Sequence, residues 1–256
     1  MKPLALRNLV IDARHGALLC APLTARDESG LATELTELAR SPAQLLEWRM
    51  DFFDGLNDPA RCLEAARLIR TQAPEQAIIL TRRSQREGGE AITLNEHEVL
   101  ERYHLIARAG LVDVLDWELS SPGDCFAGAR ALAHQTGTLL LASCHDFSGT
   151  PPLEAMMARL TEAAMRGADL AKLAVMPHSR QDVLTLLQAT LNADETLDIP
   201  VVTMAMGALG AGTRAYGWQY GSALTFGAGL RASAPGQPPL EKLARLLDDL
   251  RHTSAP

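Results

Sequence analysis

The chain has 256 residues, 47% of them hydrophobic and 21% charged, with a formal net charge of -7. Those fractions fit one large globular domain with a sizeable core and exclude intrinsic disorder. No basic block occurs, and no apolar run approaches the roughly 18 residues that cross a bilayer, which excludes nucleic acid and membrane as main partners.

The N-terminal stretch carries Arg7, Asp12 and Arg14 where a secretion signal needs an apolar core, so a cytoplasmic protein is expected. Cys20, Cys62, Cys125 and Cys144 lie far apart without a C-x-x-C pair and read as reduced thiols. Only three basic residues are lysines: Lys2 at the terminus, Lys242 on a polar helix face, and Lys172 inside an apolar run.

Apolar runs predict strands over 17–20, 44–50, 77–81, 112–117, 138–143, 169–175, 200–204 and 222–226. Helical patterns lie between them, including 60–70, 95–109, 153–166 and 180–191. A last amphipathic stretch places Leu240, Leu243, Leu246, Leu247 and Leu250 on one face. Strand and helix alternate at about 30 residues per unit, which predicts an α/β fold of parallel β-α units. Eight strands in one domain over 1–256 match a (β/α)8 TIM barrel, with the segment before Ala17 left as a short N-terminal β-hairpin closing the barrel floor.

In such barrels chemistry sits at the C-terminal strand ends, where strand parity tells which side chains point inward. In LLEWRMD, Glu47, Arg49 and Asp51 share the inward face while Leu46, Trp48 and Met50 face the helices. Three inward charges form either a working network or a structural salt-bridge cluster. Next, TRRSQREGG turns Arg83 inward rather than Arg82, and Glu87 follows with Gly88 and Gly89 in a hinge-like turn. In SCHDFSGTP, Ser143 and His145 point inward and Cys144 outward into packing; Thr150 and Pro151 suit the N-cap and first turn of the next helix.

Lys172, in GADLAKLAVMP, points inward with no sequence-local counterion. Either it pairs with an inward carboxylate, or burial and cations such as Arg49, Arg83 or Arg214 keep its amine neutral for attack on a carbonyl. The Gly-rich stretch at 207–212 lacks P-loop or dinucleotide spacing. Arg214 beyond it can clamp a carboxylate, and Ser233 and Gln237 offer neutral hydrogen bonds from the last loop. His97, Glu101 and His104 share one helix face and admit metal ligation, though a solvated face explains them as well.

Together these segments resemble the type I 3-dehydroquinate dehydratases, the Schiff-base class of the shikimate pathway. EWRMD, TRRSQREGG, SCHDFSGTP, GADLAKLAVMP and MAMGALGAGTR through SAPGQ occur in the family's order across nearly the whole chain. The resemblance implies a homodimeric barrel with 3-dehydroquinate as substrate and no metal or organic cofactor. It makes Lys172 the imine-forming lysine, His145 the general acid/base and Glu87 the carboxylate beside it. It gives Glu47, Arg49, Arg83, Arg214, Ser233 and Gln237 to the substrate's carboxylate and hydroxyls. Ala205, Thr213 and the Gly217-Trp218-Gln219-Tyr220 run depart from the pattern. A class I aldolase-like lysine barrel and a non-catalytic sugar-acid-binding barrel are the alternatives.

Overall fold

The computed structural model describes residues 3–253, which leaves Lys2 outside the described part. A hairpin of β1 (Leu4–Leu6) and β2 (Leu9–Ile11) comes first, paired antiparallel. The chain then alternates β3 (Leu18–Leu23), α1 (Glu28–Leu38), β4 (Leu45–Arg49), α2 (Pro59–Gln72), β5 (Ala77–Thr81), α3 (Glu96–Arg108), β6 (Val114–Glu118) and α4 (Gly123–Thr136). It continues with β7 (Leu139–Asp146), α5 (Leu153–Met165), β8 (Leu170–Val175), α6 (Arg180–Thr196) and β9 (Val201–Ala205). Two short helices, α7 (Gly207–Gly210) and α8 (Thr213–Tyr216), precede β10 (Leu224–Phe226), and α9 (Leu240–Thr253) ends the described chain.

The eight strands β3 to β10 lie in the order β10-β3-β4-β5-β6-β7-β8-β9, every pair parallel. Between β9 and β10 the ladder shrinks to one parallel bridge, Val201 to Ser222, with Ala223 N donating to Val201 O at 2.8 Å. The Ser222 hydroxyl stands in for the missing rungs: it accepts from Thr203 N at 2.9 Å and donates to Thr203 O at 3.2 Å. The result is the expected barrel, closed by a thin seam.

Strand parity sorts the apolar side chains into two layers. Leu46, Trp48 and Met50 pack in the outer layer between sheet and helices, whereas Leu45, Ile79, Val114, Leu141, Leu170 and Val202 fill the barrel interior. Leu6, Ile11 and Ala13 join that interior cluster, so the hairpin plugs the floor. Below, the barrel is apolar; only towards the C-terminal strand ends do inward positions turn polar.

Helix starts follow local chemistry. Asn95 and Ser179 form capping boxes with Glu98 and Asp182, and Asp58 caps α2 ahead of Pro59. Thr150 does not cap α5: Pro152 holds the N-cap position and the Thr150 hydroxyl donates to Met176 O at 3.3 Å, tying the loop to the end of β8. In α9, Leu240, Leu243 and Leu247 are buried, but Leu246 is 39% exposed because it falls off their stripe. No helix among the described residues is long and apolar enough to cross a membrane.

Candidate active site

A cavity opens at the C-terminal end of the barrel, and Glu47, Arg49, Arg83, Glu87, His145, Lys172, Arg214, Ser233 and Gln237 all line it. Lys172, in the middle of β8, reaches it from below. Its Nζ donates to Glu47 Oε1 and Asp116 Oδ2, both at 3.2 Å, and lies 4.5 Å above the Phe226 ring. Of the two expectations for this lysine, the carboxylate-paired one describes the geometry.

Asp116 is fully buried at the centre of the network. It accepts from Ser143 Oγ at 2.5 Å and from Arg83 NH2 at 2.7 Å as well as from Lys172. Burial alone would raise its pKa, but Arg83, Lys172 and the Ser143 hydroxyl together hold it below the ordinary carboxylate value. Arg83 also donates to Ser143 Oγ at 2.7 Å and to Glu118 Oε1 at 3.3 Å, and its NH1 lies 3.7 Å from Glu87. Burial disfavours the guanidinium charge, yet these acids raise its pKa. Arg82 turns outward to Glu96, as parity predicts.

Arg49 and Asp51 form a two-pronged pair at 2.8 and 2.7 Å, and Arg49 NH1 donates to Ser233 O at 3.4 Å. Asp51 further accepts from the backbone N–H of Arg83 at 3.2 Å and Glu90 at 3.1 Å, so it ties together the loops after β4 and β5.

Glu87 ends a single 3-10 turn, Gln85–Glu87, closed by Gly88 with φ 84°. A Cβ on Gly88 would meet the Phe147 ring at 2.3 Å, and one on Gly89 would lie 2.0 Å from Arg83 O. This glycine pair is therefore a close-approach site within the turn. Glu87 Oε2 accepts from His145 N at 2.9 Å and lies 2.9 Å from His145 Nδ1, while Ser120 Oγ donates to Oε1 at 2.7 Å. Burial, with Glu118 nearby, pushes the Glu87 carboxyl up to about 7. Burial and the cations Arg83, Lys172 and Arg49 pull His145 well below its ordinary 6.5. With the carboxylate opposite Nδ1, the neutral ring carries its proton there and leaves Nε2 free as a base.

Arg214 is 2% exposed and has no carboxylate partner among the described residues. NH1 contacts the Met204 sulfur at 3.3 Å and Phe226 O at 3.4 Å, NH2 meets Pro235 O at 3.4 Å, and Nε is unpartnered. Burial without an acid pulls it down to about 10, still cationic at neutral pH. Ser233 and Gln237 hold each other, Ser233 N donating to Gln237 Oε1 at 2.8 Å and Gln237 Nε2 to Ser233 Oγ at 3.1 Å. The departure Thr213 is local scaffolding: its hydroxyl donates to Gly210 O at 2.7 Å and accepts from Ala205 N at 3.1 Å.

Asp116 and Glu118 are the site residues that motif reading missed. Their segment, VLDWE, alternates as LLEWR does, with Leu115 and Trp117 outward and the two acids inward. Cys144 packs against the outer layer, where burial pushes its thiol up to about 11, so it is inert at neutral pH. Glu101 and His104 do not join His97 as ligands. His97 instead faces α4, 3.4 Å from Asp124 and 3.6 Å from the Cys125 sulfur.

Residues 19–254 match the family model of type I 3-dehydroquinase. A 3-dehydroquinate dehydratase of Aromatoleum aromaticum is 46% identical over 252 residues, 98% of this chain and 97% of that protein. The crystal structure of the Geobacillus kaustophilus 3-dehydroquinate dehydratase superposes with a TM-score of 0.95 at 43% identity, covering 99% of this chain and 98% of that one. A Clostridium difficile type I 3-dehydroquinate dehydratase, solved with covalently modified comenic acid, gives 0.94 at 32% identity, covering 98% and 99%.

Proposed function

The chain belongs to the type I 3-dehydroquinase family, and from that premise we propose that it dehydrates 3-dehydroquinate to 3-dehydroshikimate through an imine on Lys172. This is a hydro-lyase reaction of the shikimate pathway, and the family performs it without metal or organic cofactor, the substrate imine acting as the electron sink. The observation that carries the reading is one cavity holding a lysine amine, a neutral histidine and an unpaired arginine.

Arg214 takes the substrate carboxylate, and Arg49, Ser233 and Gln237 hold its hydroxyls, which brings the ring ketone to Lys172. The amine attacks the ketone carbon and water leaves as the imine forms. The imine acidifies the adjacent CH2, and His145 Nε2 removes one proton to give an enamine. Glu87, 2.9 Å from Nδ1, balances the charge the ring then acquires. The enamine expels the neighbouring tertiary hydroxyl, protonated by His145; one histidine on one face makes this a syn elimination. Hydrolysis frees the product and the lysine.

Two further parts of the proposal are a single catalytic domain over the whole chain and a cytoplasmic homodimer. The family membership supports both, and sedimentation velocity tests the second. For the chemistry, borohydride is added with 3-dehydroquinate and the protein is mapped by mass. A substrate-dependent adduct on Lys172, with enone product absorbing in its absence, is the expected result. An adduct without product would favour a non-catalytic sugar-acid binder, and no adduct on folded protein would remove the imine.

A further inference from the structure

The Lys172 amine is hydrogen-bonded to two carboxylates, so it must shed a proton before it can attack anything, and His145 is not among its hydrogen-bond partners. Glu47 and Asp116 stand at the same 3.2 Å, and their surroundings separate them. Asp116 is saturated: Ser143 occupies Oδ1, and Arg83 and Lys172 share Oδ2. A proton on Asp116 would break the 2.7 Å pair with Arg83 and leave a buried guanidinium undercompensated. Among the described residues, Glu47 has no cation but Lys172 within salt-bridge distance. Both of its bonds, from Thr81 Oγ1 at 3.1 Å and from Lys172, fall on Oε1. Oε2 has no donor among the described residues, and the residue lines the cavity.

We propose that Glu47 is the proton carrier for imine formation: it takes a proton from the Lys172 ammonium and returns it to the departing oxygen, while Asp116 remains an anion throughout. This rests on the imine chemistry proposed above and assigns one of its steps. The proton passes from Nζ to Glu47 as the nitrogen lone pair bonds to the ketone carbon and the carbonyl π pair moves to oxygen. Glu47 returns that proton to the oxygen, a second nitrogen proton completes the water, and the C–O bond breaks as C=N forms. Ammonium and ketone thus become protonated imine and water, with no net proton taken from solvent. Asp116, still ionised, lies beside the cationic imine and stabilises it.

The test is single-turnover trapping with cyanoborohydride at saturating 3-dehydroquinate from pH 6 to pH 10, in wild type and Glu47→Gln. Saturation separates proton transfer from substrate affinity. The expected wild-type rate is nearly flat with pH. In Glu47→Gln it falls about 100-fold or more at neutral pH and climbs about ten-fold per pH unit towards the alkaline end of the range, as solvent base replaces the missing carboxylate. A flat, near-wild-type profile in Glu47→Gln would overturn the assignment, and so would the alkaline climb appearing in Asp116→Asn instead. Should Glu47→Gln not fold, Glu47→Ala with added formate serves: formate-dependent recovery of trapping supports the carrier, and no recovery in folded protein refutes it. Failure of wild type to trap at all would break the imine reading itself, a separate outcome.

Discussion

Arg83 and Arg214 line one cavity, both almost wholly buried, and the protein treats them in opposite ways. Arg83 has Asp116, Glu118, Glu87 and the Ser143 hydroxyl around it. Arg214 has a thioether, two backbone carbonyls and an unpartnered Nε. The lysine wall is internally neutralised, so its charges keep their geometry whether or not substrate is bound. The arginine wall is deliberately incomplete, and the proposed substrate carboxylate supplies what it lacks. Charges that do chemistry are thus paired in advance, and the charge that recognises the ligand bears a standing desolvation cost.

The largest effect expected concerns the group between the walls. His145→Ala should lower turnover by about 10²–10⁴ while borohydride still traps an adduct on Lys172; wild-type turnover would place the base elsewhere. Next, Asp116→Ala should cost about 3–5 kcal/mol of stability, because it takes from buried Arg83 its nearest carboxylate and from Lys172 one of its two. Urea unfolding checks this, and an unchanged midpoint would mean that the neutralised wall is not what holds the site. Arg214→Met should do the reverse, raising stability by about 1–3 kcal/mol while KM for 3-dehydroquinate rises about thirty-fold or more. If both variants destabilise alike, the contrast between the walls fails.

The smallest effect concerns Glu87, whose carboxyl is raised from an ordinary 4.5 to about 7. A raised folded pKa means stability that is fully present below about pH 4.5 and is lost as pH climbs to about 7. Glu87→Gln removes that dependence. It should be more stable than wild type at pH 8, little different at pH 4.5, and turn over more slowly at both. A variant that loses more stability at pH 8 than at pH 4.5 would contradict the sign.

Much of this is legible in the sequence alone, because period-two alternation is a strong constraint in a barrel whose two faces differ. It placed Glu47, Arg49, Arg83, Ser143 and His145 inward and Arg82 and Cys144 outward, as the structure has them. The same rule applied to VLDWE would have found Asp116 and Glu118. That segment carries no motif to direct the rule to it, although it holds one of the two carboxylates paired with Lys172. Other features were out of reach. That Arg214 meets Met204, Phe226 and Pro235 and no carboxylate among the described residues is settled only in the folded loops. Thr150 failed as a cap because its hydroxyl found Met176 O, a tertiary competitor that local propensity cannot anticipate. Leu246 misleads for a simpler reason: an apolar residue one step off the stripe looks the same in composition.

The seam between β9 and β10 bears on how the molecule is made. Strand β10 pairs with β3, near the other end of the chain, through Leu224–Leu18 and Phe226–Cys20. During synthesis, β3 and β9 therefore each present an open edge until residues 222–226 have been translated. The nascent sheet is a seven-stranded arc with two templates for pairing with other chains. Closure then depends on one bridge and one serine hydroxyl, so Ser222→Ala is expected to reduce soluble yield in rapid expression more than it lowers the stability of the finished barrel.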